Sequence, residues 1–116
     1  MKPCKIYFLL GLAQKGGKIV SGWDLVKKFL PLGKIKLLII AEDASDNTKN
    51  YFKAMCEKFN VPYCFYGNSY ELGSSIGKEE RKVIGIKDVN ISRKILEYLG
   101  SHLNSEVGNI DKSKGI

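Results

Sequence analysis

Few stretches of this 116-residue chain carry side chains that could do chemistry. Gly11-Leu12-Ala13-Gln14-Lys15-Gly16-Gly17-Lys18 has the glycines and lysines of a phosphate-cradling loop. Its spacing is off by one residue, Ile19 stands where a Ser or Thr should meet magnesium, and the segment ahead of it reads as a helix rather than a strand. Nucleotide hydrolysis therefore lacks its site. Glu42-Asp43 and Glu79-Glu80 are adjacent pairs in loops, whereas acid–base catalysis needs opposed groups with separated pKa values. The first pair reads as the approach to a helix, the second as a solvated turn. His102 is the one histidine, which leaves neither a metal-binding pair of imidazoles nor a placed base for a Ser or Cys nucleophile. Cys4, Cys56 and Cys64 form no CxxC, and the last two sit among apolar neighbours, as reduced buried thiols of a cytoplasmic protein would. No catalytic residue, cofactor or metal is expected.

Binding of phosphate without catalysis is better supported. Residues 1–36 hold eight Lys (2, 5, 15, 18, 27, 28, 34 and 36) against one acid, Asp24; eight minus one leaves +7, the net charge of the whole chain. The remaining residues balance, eleven basic against eleven acidic. A clustered surplus steers and holds a polyanion, where an even one only keeps a protein soluble. At its centre, Gly17 to Lys28 reads as a short strand, a glycine turn at Gly22 and the opening of a helix, whose free N–H groups and positive dipole end can face phosphate. Lys27 and Lys28 continue that helix, with Lys15 and Lys18 close in sequence. A single exposed Lys is ordinarily just solvated; the exclusion of acid from 36 residues is what gives these weight. Trp23 fits two roles, half-buried core or a platform for an unstacked base.

The elements that must position these residues follow from periodicity. Ile6, Leu9, Leu10 and Ala13 form one apolar stripe of a helix over 5–15, ended by Gly16-Gly17. Lys18 to Ser21 is a strand. The second helix turns Leu25, Val26, Phe29 and Leu30 inward and Asp24, Lys27 and Lys28 outward, and stops or kinks at Pro31. Lys36 to Ala41 is apolar without alternation, the mark of a central strand covered on both faces. A third helix, capped by Ser45 or Asp46, runs to about Lys58, with Tyr51, Phe52, Met55 and Phe59 inside. A strand over 61–66, a short helix to about Ile76, a charged loop over 77–82, a strand over 83–86 and a helix over 92–99 complete the order. Helices alternating with strands imply a mixed sheet between helical layers. One domain over 1–102 and a polar, mobile tail over 103–116 are expected. The apolar run after Lys2 and Lys5 is read as a core helix rather than a secretory signal, and no stretch is long enough to span a membrane.

Five motifs in this order resemble a known family: Gly-Lys-Ile-Val-Ser-Gly (17–22) before a basic helix, Lys-Leu-Leu-Ile-Ile-Ala-Glu-Asp (36–43), Val-Pro-Tyr (61–63), Gly-Asn-Ser-Tyr-Glu-Leu-Gly (67–73) and Gly-Lys-Glu-Glu-Arg (77–81). Together they are similar to the kink-turn-binding ribosomal protein superfamily, most of all to its small bacterial YlxQ-like RNA-binding proteins. The resemblance implies an α/β fold, a three-layer α/β/α sandwich with a mixed four-stranded sheet, that binds sharply bent RNA internal loops. It implies RNA contact at the turn and helix opening, where Gly17, Lys18, Gly22 and Lys28 match, and at the loop before the last strand (Gly77, Lys78, Glu79, Glu80, Arg81, Lys82); the charge and position of Lys15, Ser21, Trp23, Asp24 and Lys27 add them to the candidate RNA-binding residues. Structured RNA, ribosomal or otherwise kinked, is the implied partner. Asp24-Leu25 departs from the Asn-Glu of kink-turn readers, and the second loop is charged where theirs is apolar. That departure leaves an alternative: a protein-interaction module associated with ribosomal or transcription-associated proteins that has lost kink-turn specificity.

Overall fold

A computed structural model describes residues 5–102 together with the backbone of Val107 and Gly108. Helix α1 (Lys5–Lys15) buries the expected stripe, Ile6, Leu9, Leu10 and Ala13, so the Gly- and Lys-containing segment is largely helix and not a phosphate cradle. Strand β1 (Ile19–Ser21) leads through Gly22 into α2 (Trp23–Phe29). Pro31 ends α2 by forcing a 3-10 turn over Leu30–Leu32, closed by Gly33 at φ 73°. Strand β2 (Leu37–Ile40) is buried along its whole length, as its unbroken apolar sequence requires. Helix α3 (Asp46–Phe59) is capped by Ser45, whose Oγ accepts the Thr48 N–H at 3.1 Å. Then come β3 (Tyr63–Phe65), α4 (Ser69–Ser75), β4 (Val83–Ile86) and α5 (Val89–His102). Helix α5 begins three residues before the expected Ser92, because Asp88 accepts the Ile91 N–H at 2.7 Å and caps it there.

The sheet is mixed, in the order β1-β4-β2-β3, with β1 and β2 antiparallel to β4 and β2 parallel to β3. To the four expected strands the structure adds β5 (Val107–Gly108), antiparallel to β3 at the edge. The rest of the polar tail, and Cys4, lie outside the described residues. Helix α1 packs with α4 and α5, while α2 and α3 meet through the 3-10 turn against β1, β2 and β4, which makes the three-layer α/β/α sandwich.

One expectation fails. Leu25 is not an inner residue but 48% exposed, and the buried positions beside it are Val26 and Leu30. A seven-residue helix turns only twice, so it has room for one inward row, which Val26 begins and Leu30 of the following 3-10 turn continues.

Candidate nucleic-acid interface

Strand polarity decides which of the expected residues meet. Because β1 runs antiparallel to β4 with Ser21 opposite Ile84, the end of β1 lies beside the start of β4. The Gly22 N–H donates to the Val83 carbonyl at 3.0 Å, and this joins the turn before α2 to the loop before β4. Gly22 sits at φ 93° with open space where a Cβ would be, so its requirement for glycine is one of backbone conformation, not of packing. Ser21, Gly22, Trp23, Asp24 and Leu25 form one wall of a groove of about 330 Å³; Glu80, Arg81 and Lys82 form the other, with Thr48 of α3 completing it.

Trp23 is packed against the core and still partly open to solvent. Its ring stacks on Tyr51 of α3 (centroids 4.8 Å apart, planes at 24°) and meets the edge of buried Phe52 at 4.7 Å. It nevertheless stays 41% exposed in the groove wall. Anchored aromatics with accessible surface are the usual supports for unstacked bases.

The second loop is held from behind. The Arg81 guanidinium turns toward the protein: Nε donates to Ser21 Oγ at 3.0 Å and Nη1 to the Glu80 carbonyl at 3.0 Å. Its backbone N–H donates to the Ser69 carbonyl at 3.0 Å. Ser69, buried at the start of α4, gives both its N–H (2.9 Å) and its hydroxyl (3.0 Å) to the Asp43 carboxylate, and Lys82 Nζ reaches the same hydroxyl at 3.4 Å. Desolvation pushes the Asp43 carboxyl up, but the two Ser69 hydrogen bonds and the Lys82 charge outweigh it and hold the pKa below its ordinary 3.8. Asp43, expected only as the approach to α3, thus belongs to the support of this loop. Glu79 and Glu80 are exposed as expected, and Glu80 lies 4.0 Å from Lys82. Gly77 and Lys78 are exposed at the loop's start, Gly77 at φ 72°.

The structure divides the basic residues. Lys15 ends α1 and Gly17 and Lys18 lead into β1, where the Lys18 carbonyl accepts the Lys87 N–H at 2.8 Å, opposite the end that reaches the groove. Lys27 and Lys28 are exposed in the last turn of α2, Lys28 one helical turn from Asp24. Lys15, Lys18, Lys27 and Lys28 make no ion pair among the described residues. With only two turns, α2 adds little dipole, so the positive charge of this segment comes from its lysines rather than from the helix end. Cys56 and Cys64 are far from reactive: burial foremost pushes both thiols up to about 12, with Glu57 adding to the first and Glu42 to the second.

The profile of the Ribosomal protein L7Ae/L30e/S12e/Gadd45 family matches residues 4–96. The chain belongs to this family. The RNA-binding protein YlxQ of Bacillus subtilis is 41% identical over 91 residues, 78% of this chain and 91% of that protein. The large ribosomal subunit protein eL8 of Thermoplasma volcanium is 30% identical over 94 residues, 80% of this chain and 78% of that protein. A solved structure of a protein of unknown function from Bacillus halodurans superposes with a TM-score of 0.82 at 35% identity, covering 85% of this chain and all of that one. No described helix is long and apolar enough to cross a membrane.

Proposed function

We propose that this protein binds structured RNA without catalysis and uses the groove between the opening of α2 and the 77–82 loop as its centre. The observation that carries the reading is the convergence, through strand pairing, of two segments far apart in sequence onto one groove with an anchored, accessible Trp23. The likeness to proteins named as RNA-binding and ribosomal supports the partner class. The groove's own charges, Asp24 and Glu80 against Arg81 and Lys82, cancel, which suits an unstacked base, while the unpaired lysines outside it suit the backbone on either side. A bent RNA crowds its own phosphates. Lysines that neutralise them in the bent form give it a differential affinity and shift the RNA's population toward the bend.

The test is titration against a kink-turn RNA and a straight duplex of equal length at two salt concentrations. Preference for the kinked RNA is expected, with a log–log salt slope of roughly −3 to −4 if about four phosphates are neutralised. Equal, weak, salt-sensitive binding to both would reduce the site to a general polyanion surface. A second reading, a protein-interaction module serving ribosomal or transcription-associated proteins, is favoured by Trp23, 41% exposed with Leu25 exposed two residues on, since an exposed Trp is a common interface anchor. Absence of binding to either RNA at low salt would select it.

A further inference from the structure

We propose that Asp43, Ser69 and Arg81 are positioning residues that fix the 77–82 loop against the turn before α2 in the free protein, and that Arg81 acts there as a bridge and not as a phosphate contact. The inference rests on the RNA-binding reading above and deepens it. The relay is continuous. Asp43, just beyond β2, accepts both donors of Ser69, 26 residues away. The Ser69 carbonyl accepts the Arg81 N–H at 3.0 Å, and Arg81 Nε reaches Ser21 Oγ at 3.0 Å, across 60 residues of sequence. The two walls of the groove are thereby tied to each other and to the end of a central strand. The loop is also hung on α4, since the Lys78 N–H donates to the Gly73 carbonyl at 2.8 Å.

The physical consequence is preorganisation. A loop that must be ordered on binding costs affinity for every side chain immobilised, and one held in place beforehand does not. With Nε on Ser21 Oγ and Nη1 on the Glu80 (3.0 Å) and Glu79 (3.4 Å) carbonyls, a two-pronged grip on phosphate would break at least one of these bonds, and only the Nη2 hydrogens are left over.

Charge makes the test sharp. Asp43→Ala removes a negative charge near an RNA surface, so electrostatics alone would leave binding of the kink-turn RNA equal or tighter. The relay requires the opposite: Kd about tenfold higher at every salt concentration, with an unchanged salt slope because no phosphate contact is lost. In the free protein, exchange of the Arg81 amide should quicken while the β2 amides keep their protection; Arg81 is bonded to a carbonyl the substitution does not touch. Should Asp43→Ala fail to fold, Ser21→Ala removes only the acceptor of Arg81 Nε, with Kd expected to rise about threefold at unchanged slope. For Arg81→Gln, weaker binding at unchanged slope is likewise expected. A slope shallower by about 1 in Arg81→Gln would make Arg81 a phosphate contact and overturn the assignment. Unchanged or tighter binding by the alanine variants would also overturn it. If the unsubstituted protein binds neither RNA, the RNA reading fails by itself, and unchanged Arg81 exchange in Asp43→Ala separately refutes the relay.

Discussion

At Gly73, helix α4 lies directly against the backbone of the 77–82 loop, and substituting it perturbs the proposed interface from behind. A Cβ added at Gly73 would collide with the Glu79 carbonyl oxygen, and would lie 2.6 Å from the Glu79 carbonyl carbon and 3.1 Å from the Glu80 Cα. All three are backbone atoms, so no side-chain rotation relieves the overlap: the loop must move off the helix. Forced overpacking of this kind costs about 2–3 kcal/mol. For a domain of about 100 residues that corresponds to a Tm lower by roughly 10–20 °C. Gly77→Ala is the comparison, since its site is open and the penalty is only that of an L-residue at φ 72°, about 1–2 kcal/mol. Thermal denaturation followed by circular dichroism should therefore rank wild type above Gly77→Ala and both above Gly73→Ala. Binding of the kink-turn RNA by Gly73→Ala, measured well below its Tm, should weaken because Glu80, Arg81 and Lys82 have shifted. A Gly73→Ala protein that melts within about 2 °C of wild type would refute the packing argument. One that is destabilised yet binds RNA with full affinity would detach the loop from the interface.

Charge reversal at the interface should be local in its effect. Lys28→Glu should weaken RNA binding about tenfold and make the salt slope shallower by about 1, while Lys94→Glu, exposed on α5, should change Kd less than about twofold; equal effects would remove the localised footprint. Asp43 gives a pH signature. Its folded pKa is lowered, so the unfolded chain binds more protons in the intervening window; its contribution to stability is complete above the ordinary 3.8 and is lost as pH falls through the folded value. The Tm gap between wild type and Asp43→Ala, full at pH 6, should narrow below pH 3.8, and a gap that widens on acidification would contradict the hydrogen-bond assignment.

Periodicity carries most of the fold because long helices and buried strands repeat their pattern several times. The Ile6, Leu9, Leu10, Ala13 stripe and the unbroken Leu37–Ile40 run are each where their spacing puts them. Leu25 is the counter-example: over two turns, the inward row is set by what α2 packs on, and periodicity cannot choose between neighbouring rows. The candidate groove was legible through its two segments and not through its geometry. That Lys18 sits at the far end of β1 from Gly22 follows from the β1–β4 pairing, which no local signal encodes. Likewise, Asp43 serves Ser69 and not the helix beside it, and the Arg81 Nε donates across to Ser21. These bonds span 26 and 60 residues and exist only once the sheet has formed. Val107–Gly108, two residues in a polar stretch, lacks the alternation that marks a strand.

Trp23 is the only tryptophan in the chain, so indole emission reports on the groove wall alone. Titrating the protein with kink-turn RNA while following that emission tests whether the groove is the interface. A saturable change that tracks the independently measured binding curve, and is absent with a straight duplex, is the expected result. RNA that binds without altering Trp23 emission would place the interface elsewhere on the protein and contradict the assignment.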